Sequence, residues 1–212
     1  PPKVVELQSQ VVIRRASLAV YVDKQQGVIT QITHDLFPDG LLEKPMALLG
    51  MVKDNKPDFF ERVQMNVRST DIVIERINAA GENITVQISL ADSLDAVDIS
   101  FTAFSGVRPD SQVTGALKTQ FALHIPNGRL IHDHPYGVSE THVQGTYKRK
   151  YPTGEWMTSP QVFEDVENPF TSTSLLDFTN DERGALLLHS GSPAFLRHDA
   201  PDNSLHVSNI LH

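Results

Sequence analysis

Nitrogen and oxygen donors are concentrated in one short stretch of this sequence. His132, Asp133 and His134 are consecutive, and Glu140 and His142 follow a few residues later. Imidazole and carboxylate groups are ligands that suit zinc or another divalent ion. In a β-strand, however, His132 and His134 share one face while Asp133 points to the other. Histidines at strand ends more often contact solvent or a backbone group, so we predict no metal ligand in this chain.

The polar stretch that follows is rich in carboxylates, namely Glu155, Glu164, Asp165 and Glu167. A glycosidase needs two carboxyl groups about 5 to 9.5 Å apart. No flanking pattern singles out an acid and a nucleophile, so surface charge is the favoured interpretation. Ser190 stands in His-Ser-Gly-Ser, which differs from the Gly-x-Ser-x-Gly turn of hydrolases, and the chain has no cysteine. We therefore predict no catalytic residue here.

Aromatic residues offer a different chemistry, the stacking of rings against the C–H groups of a sugar. The candidates for carbohydrate contact are Tyr136, Tyr147 and Trp156, with Arg149 as a donor to sugar hydroxyls. The alternative for Trp156 is a place in the core, because Met157 continues an apolar pattern after it. Both interpretations stay open for the tryptophan.

Charge and composition exclude several classes of protein. The formal net charge is −8 and the isoelectric point is near 5.5, which disfavours nucleic acids and anionic membranes as partners. The one basic cluster, Lys148 to Lys150, is short and is interpreted as a polar strand face rather than a phosphate site. The start PPKVVELQSQ does not resemble a signal peptide, and no apolar run approaches the roughly 20 residues of a membrane helix. With no cysteine, these features predict a cytoplasmic bacterial protein.

The elements that must position these residues are strands. Leu18, Val20 and Val22 alternate with more polar residues, and after a turn at Lys24 to Gly27 the alternation resumes. Further strands are predicted at 71–78, 83–90, 97–104 and 113–125. The segment from Leu41 to Val52 is predicted to be a loop or a short turn of helix, because Pro45 and Gly50 interrupt it.

Strand signals spaced about ten residues apart predict an all-β fold, an antiparallel β-sandwich without crossover helices. The chain contains 12 glycines and 13 prolines, which punctuate these strands. At 212 residues, it is expected to form a single domain over 1–212. A start at Pro-Pro without Met leads us to expect an excised or processed piece of a longer chain.

The last clear pattern is LLDFTNDERGALLLHSG, where two apolar runs flank the polar turn Thr179 to Arg183. This predicts a β-hairpin with a long loop. The hairpin, the Gly154-Glu155-Trp156 stretch after a Tyr-rich strand, and the polar residues Ser159 to Glu167 resemble the C-terminal β-domain of glycoside hydrolase family 38, the retaining α-mannosidases. The N-terminal hairpin, with Gly27-Val28-Ile29-Thr30, is similar to the opening of that domain.

The resemblance implies a galactose-mutarotase-like supersandwich, incomplete at the C-terminus, that lies beside a catalytic domain. In that family the nucleophile and the zinc ligands come chiefly from the N-terminal domain, so it implies no cofactor in this chain and zinc in the missing domain. The implied partners are the chain's own N-terminal catalytic domain and mannose-containing glycans. The resemblance leaves Tyr136, Tyr147, Arg149 and Trp156 as candidate substrate contacts.

A second hypothesis belongs to another class of protein. The chain is then a free-standing carbohydrate-binding module or an aldose-mutarotase-like epimerase. Mutarotation needs a base and an acid near the anomeric centre, and Glu140 would serve as the base. His132, His134 or His142 would serve as the acid.

Overall fold

The computed structural model describes residues 1–49, 51–53, 56–58, 61–78, 81, 83–104, 117–141, 146–150, 162–166, 170–190, 194–198 and 205–211. In these ranges all regular structure is antiparallel β, arranged in several sheets. This confirms the predicted all-β, sandwich-like class. The same ranges contain no helix that is long and apolar enough to cross a membrane.

The chain divides into two compact units, Pro1–His124 with Leu211–His212, and Ile125–Ile210. Each is described by itself below. The single domain expected from the sequence stays a prediction.

The described residues of the first unit form twelve strands. They are β1 (Lys3–Glu6), β2 (Gln10–Arg15), β3 (Leu18–Asp23), β4 (Val28–Thr33), β5 (Leu42–Leu49), β6 (Met51–Lys53), β7 (Lys56–Asp58), β8 (Arg62–Val67), β9 (Asp71–Ile77), β10 (Asn83–Leu90), β11 (Val97–Phe104) and β12 (Leu117–Leu123). Two four-stranded sheets have the orders β1-β2-β3-β4 and β11-β10-β9-β8, while β5 pairs with β12 and β6 with β7. The predicted strands at 71–78, 83–90 and 97–104 are confirmed. Of the stretch predicted at 113–125, residues 117–123 form β12 and 113–116 lie outside the described residues.

The β3–β4 hairpin forms as the alternation predicts. Leu18, Val20 and Val22 are buried on one face of β3. At the turn, Asp23 Oδ1 accepts hydrogen bonds from the N–H groups of Gln25 (2.8 Å) and Gln26 (2.7 Å), the local pairing that favours aspartate in turns. The sequence pattern was sufficient here because all of these interactions are local.

The β3–β4 turn also packs against the second sheet of this unit. Gly27 has φ of +61°, and a Cβ at this position would lie 2.7 Å from Val63 Cγ1 and 2.9 Å from Ile74 Cγ2. Only glycine meets both the backbone angle and the close approach. Ile72, Ile74, Ile84 and Ile88 of the second sheet are almost fully buried, and with the first sheet they form the core of the unit.

The prediction for Leu41 to Val52 is wrong, because this segment contains strands β5 and β6. Along β5 and β12, Ala47 pairs with Gln120 and Lys44 with Ala122, so two residues of β5 lie opposite one of β12. Pro45 is one of these two residues. A proline lacks the N–H that a regular ladder needs, and a bulge is one of the places where a strand accommodates it.

The second unit contains the remaining strands. They are β13 (Arg129–His134), β14 (Gly137–Thr141), β15 (Thr146–Lys150), β16 (Val162–Val166), β17 (Phe170–Thr171), β18 (Leu175–Thr179), β19 (Gly184–Leu188), β20 (Ala194–His198) and β21 (Leu205–Leu211). A four-stranded sheet has the order β14-β13-β18-β19, β20 pairs with both β17 and β21, and β15 pairs with β16.

The hairpin predicted from LLDFTNDERGALLLHSG is confirmed as strands β18 and β19, but the loop that connects them is short. Thr179 pairs with Gly184, which leaves four connecting residues. Asn180 closes the turn, since its Oδ1 accepts from the N–H groups of Glu182 (2.9 Å) and Arg183 (2.8 Å). Its Nδ2 donates to the carbonyl of Pro126 at 2.8 Å, which ties the turn to the start of the unit.

The sheet β14-β13-β18-β19 has two different faces. The core face is buried at its centre, where Leu130, His132, Leu176 and Phe178 are at most 8% exposed. The opposite face, called the outer face below, is formed by the alternate residues of the same strands. The residues of the outer face, row by row along the register, are Val138, Asp133, Leu175 and Leu188, then Glu140, Ile131, Asp177 and Leu186.

Candidate functional site

Among the described residues of the second unit, the carboxylate of Asp133 is the centre of a dense cluster of hydrogen bonds. Its Oδ2 accepts a hydrogen bond from Ser174 Oγ at 2.6 Å. Its Oδ1 accepts from Ser172 Oγ (2.8 Å) and from the backbone N–H groups of Thr173 (3.0 Å), Ser174 (2.9 Å) and Leu175 (3.0 Å). A side chain of β13 thus holds the turn that leads into β18.

These hydrogen bonds stabilise the charged form of Asp133. The Ser174 hydroxyl contributes most, followed by the Ser174 N–H, and together with Leu175 and Ser172 they hold the pKa of Asp133 far below its usual range. Partial burial acts in the opposite direction and is outweighed. Such a carboxylate remains ionised and is a poor proton acceptor near neutral pH.

Ser172, which is only 2% exposed, links Asp133 to a histidine. Its Oγ lies 2.8 Å from Asp133 Oδ1, 2.8 Å from the carbonyl oxygen of Leu175 and 2.8 Å from Nε2 of His189. Asp133 and Leu175 offer only acceptors, so they take the one hydroxyl proton. His189 Nε2 therefore carries a proton and donates it to Ser172, and Nδ1 is the unprotonated nitrogen.

The environment of His189 favours its neutral form. Its Nδ1 is buried and finds no hydrogen-bond partner among the described residues, and its ring meets Phe195 edge-on at a centroid distance of 4.8 Å. Burial lowers the pKa of His189, and the negative charge of Asp133 offsets part of that effect. A second proton would have to enter on Nδ1, next to apolar surface.

Asp133, Ser172 and His189 are the residue types of a serine hydrolase, but their order is different. In a catalytic triad the histidine lies between serine and aspartate and removes the serine proton. Here the serine lies between the other two, donates its hydroxyl hydrogen toward Asp133 and accepts a hydrogen bond from His189. The arrangement stabilises a turn and does not activate Ser172 as a nucleophile.

Sequence analysis missed this cluster because its members are far apart in the chain. Asp133 and Ser172 are 39 residues apart. The local signal was the run Ser172-Thr173-Ser174 before an apolar strand, which is typical of a turn that needs side-chain acceptors or donors. Nothing in that run identifies Asp133 as its partner.

The two histidines of β13 share one face, as predicted. The ring centroids of His132 and His134 are 6.2 Å apart, and His132 packs against Phe170 at 5.0 Å. His134 Nδ1 accepts from the N–H of Tyr136 (3.3 Å), so its Nε2 carries the proton and contacts Ser139 Oγ (2.9 Å). His134 thus uses both ring nitrogens within its own hairpin.

Two of the three acid candidates of the mutarotase hypothesis, His132 and His134, lie on the face of the sheet opposite to the base Glu140. Glu140 pairs with Ile131, and directly paired residues share a face, so Glu140 belongs to the outer face. His132 and His134 alternate with Ile131 and lie on the core face. His142 is outside the described residues. In the part of the chain that is described, no three His, Asp or Glu side chains form a group that holds a metal ion.

The predicted sugar contacts fall in two places. Tyr136 lies in the turn between β13 and β14 and is 96% exposed. Tyr147 and Arg149 belong to β15, and Trp156 is outside the described residues. In the β15–β16 register Tyr147 pairs with Asp165 and Arg149 with Phe163. Of the four candidates, Tyr136 is the one whose side-chain environment is described.

The basic cluster lies in β15 and pairs with an acidic strand. Lys148 is opposite Glu164, and Lys150 is opposite Val162. The interpretation of Lys148 to Lys150 as a polar strand face stays a prediction, since the structure describes only the backbone pairing of these residues.

A scan of the sequence against models of known protein families gave no match, and a search of curated proteins gave none either.

Proposed function

We propose that the chain is a non-catalytic β-domain of an α-mannosidase-like retaining glycoside hydrolase. It would scaffold the catalytic domain and contribute contacts to the substrate subsites. Asp133 supports the non-catalytic part of this proposal, because five hydrogen bonds hold its carboxylate in a turn and keep it ionised, which disfavours a role as acid or base. The chemistry, with its zinc ion, then belongs to a catalytic domain outside this chain.

The sequence features support the same proposal. The hairpin of β18 and β19 occurs where the sequence LLDFTNDERGALLLHSG predicts it, and the strand β15, which contains Tyr147, precedes it in the chain. A galactose-mutarotase-like supersandwich remains our proposal for the finer fold. The proposed partners are the chain's own N-terminal catalytic domain and mannose-containing glycans in the bacterial cytoplasm.

Tyr136 is the contact that we place first among the proposed sugar-binding residues. Its ring is almost fully exposed, while its backbone N–H is held by His134. An exposed aromatic ring on a fixed backbone offers a stacking surface with little loss of backbone entropy on binding. Tyr147, Arg149 and Trp156 would extend this surface.

The first experiment tests whether the isolated chain is catalytically active or serves only as a scaffold. The purified chain is incubated with zinc and an aryl α-mannoside, and we expect no turnover above the spontaneous rate. Release of the aryl group in proportion to protein concentration would contradict the proposal.

A free-standing binding module is the second candidate, and the exposure of Tyr136 favours it too. Calorimetric titration of the chain with mannosides distinguishes the two, because a free-standing module gives saturable heat without any other domain. In that case Y136A should lose the heat while Y136F keeps it. Polarimetry on fresh mannose tests the mutarotase form of the hypothesis, against which the opposite faces of Glu140 and His132 already weigh.

A further inference from the structure

Strand β19 lies at the edge of its four-stranded sheet, and no described strand pairs with its outer side. The N–H of His189 donates to the carbonyl of Ser174, and the N–H of Asn180 donates to the carbonyl of Arg183. These two bonds show which residues of β19 form hydrogen-bonded pairs with β18, because such pairs alternate with non-hydrogen-bonded pairs along the ladder. By this alternation Leu186 and Leu188 direct their own N–H and C=O groups away from β18. The edge therefore presents a regular row of backbone donors and acceptors.

The side chains at this edge are apolar and exposed. Leu186 is 59% exposed and Leu188 is 71% exposed, and both lie on the outer face. Leu188 pairs with Leu175 of β18, and in the next row Leu186 pairs with Asp177. The apolar surface thus begins at the edge strand and continues inward for one strand.

The other edges of the three four-stranded sheets are protected in a way that β19 is not. Charged residues on edge strands oppose pairing with another chain. Such residues occur in the edge strands β1, β8, β11 and β14, namely Lys3, Arg62, Asp98 and Glu140. The uncharged β4 is covered, because the N–H of Leu41 donates to the carbonyl of Ile32 at 2.8 Å. Strand β19, with the sequence GALLL, has no charged residue, and no backbone hydrogen bond from another described residue covers its outer edge.

We propose that β19 pairs antiparallel with β19 of a second copy of this chain. The run from Gly184 to Ser190 contains no Asp, Glu, Lys or Arg in a chain whose net charge is −8, so self-pairing brings no like charges together at this edge. The two-fold axis passes at Leu187. Leu186 of each copy then lies opposite Leu188 of the other, and Gly184 opposite Ser190.

This register pairs the free backbone groups of the β19 edge and also buries its exposed leucine side chains. Outward-pointing backbone groups meet outward-pointing groups, so the ladder continues from one copy to the next. The four leucines cluster on the outer face of an eight-stranded sheet, where they leave water. A two-fold interface of this kind is closed, so association stops at the dimer.

Sedimentation velocity over a range of concentrations tests the pairing. We expect a reversible dimer for the wild-type chain and at least a tenfold weaker dimer for L188K, because a lysine replaces a leucine that lies opposite Leu186 of the other copy. L94K is the matched control, since Leu94 is an equally exposed leucine (66%) in the first unit. A monomeric wild-type chain, open-ended aggregates, or an L188K dimer as tight as wild type would overturn the proposal.

A cysteine at the axis tests the register. The two copies of Leu187 meet there as a non-hydrogen-bonded pair, whose Cα atoms are about 4.5 Å apart in antiparallel sheets, within the range of a disulfide. The chain has no cysteine of its own, so L187C can form only an intermolecular bridge. Mild oxidation should convert L187C to a covalent dimer while L94C stays largely monomeric. A folded L187C that cross-links no faster than L94C would rule out this register.

Discussion

The side-chain amide of Gln31 forms hydrogen bonds with both backbone polar groups of Leu42. Its Nε2 donates to the Leu42 carbonyl at 2.9 Å, and its Oε1 accepts from the Leu42 N–H at 2.8 Å. The amide thus takes the place of a backbone peptide and joins β4 to the first residue of β5. Gly40 makes room for it, because a Cβ at Gly40 would overlap the Gln31 amide.

Replacing Gln31 by alanine removes both hydrogen bonds at the start of β5. At about 1 kcal/mol for each bond, Q31A should lower the free energy of unfolding by about 2 kcal/mol. Urea denaturation followed by circular dichroism measures the change. Q25A is the control, because Gln25 is exposed in the β3–β4 turn and should change stability very little. Equal effects of the two substitutions would show that the amide does not hold β5.

Alanine variants of two glycines with positive φ distinguish the effect of backbone strain on stability from the effect of overpacking. Gly27 (φ +61°) faces Val63 and Ile74, whereas Gly81 (φ +85°) has no atom within 4 Å of a built Cβ. Both alanine variants pay the left-handed backbone penalty of about 1 kcal/mol. Because G27A also crowds the core, it should be less stable than G81A by a further 1–3 kcal/mol or so. Thermal unfolding of the two variants measures this difference, and similar melting temperatures would contradict the close approach at Gly27.

The pKa of Asp133 predicts how stability responds to acid. Because hydrogen bonds lower this pKa in the folded state, the unfolded chain takes up the proton first, at a pKa of about 3.9. The stabilisation by Asp133 is therefore complete above about pH 5 and declines as the pH falls below about 4. D133N should be less stable than wild type at neutral pH, and the gap should narrow in acid.

Denaturant midpoints measured from neutral pH down to acid give this comparison. D181N is the matched control, because Asp181 is an exposed residue in the β18–β19 turn. If the difference in stability between D133N and the wild-type chain stayed constant with pH, the charge of Asp133 would not be what holds the turn.

His189 predicts a second pH dependence in a higher range. Since burial lowers its pKa, the unfolded chain binds the proton first as the pH falls through about 6.5, so stability decreases below that pH. H189Q keeps a side-chain donor for Ser172 but cannot titrate, and it should flatten the dependence between pH 5 and 7. Stability profiles over this range measure the effect, with H34Q as control for the loss of another imidazole. NMR titration of the His189 ring should place its midpoint below that of a histidine in the unfolded chain.

The hairpins of this fold were predictable because their determinants are local. Alternating burial at Leu18, Val20 and Val22 and the turn residue Asp23 all fall within a few positions of one another. Asn180 likewise closes its own turn, whereas its hydrogen bond to the carbonyl of Pro126, 54 residues away, has no signal in the local pattern.

The sequence-based predictions failed where an interaction joins residues that are far apart in the chain. Pro45 argued against a strand, but the bulge that accommodates it is set by its pairing partner β12, more than seventy residues away. The histidines of β13 were predicted correctly to share a face, whereas the partners of Asp133 were not identified. A strand pattern specifies which way Asp133 points, and only the tertiary fold brings Ser172 and Ser174 to it.

The clamp between Asp133 and the turn at 172–175 has a consequence for how this chain tolerates change. The strand that carries Asp133 and the strand that follows the turn are neighbours in one sheet, so the clamp closes the chain between them at its base. Between the two ends of this clamp the chain forms strands β14 to β17, so the clamp fixes where that excursion begins and where it ends. A change of length within this excursion that keeps the β13–β14 and β17–β20 pairings would therefore leave β13 and β18 in register.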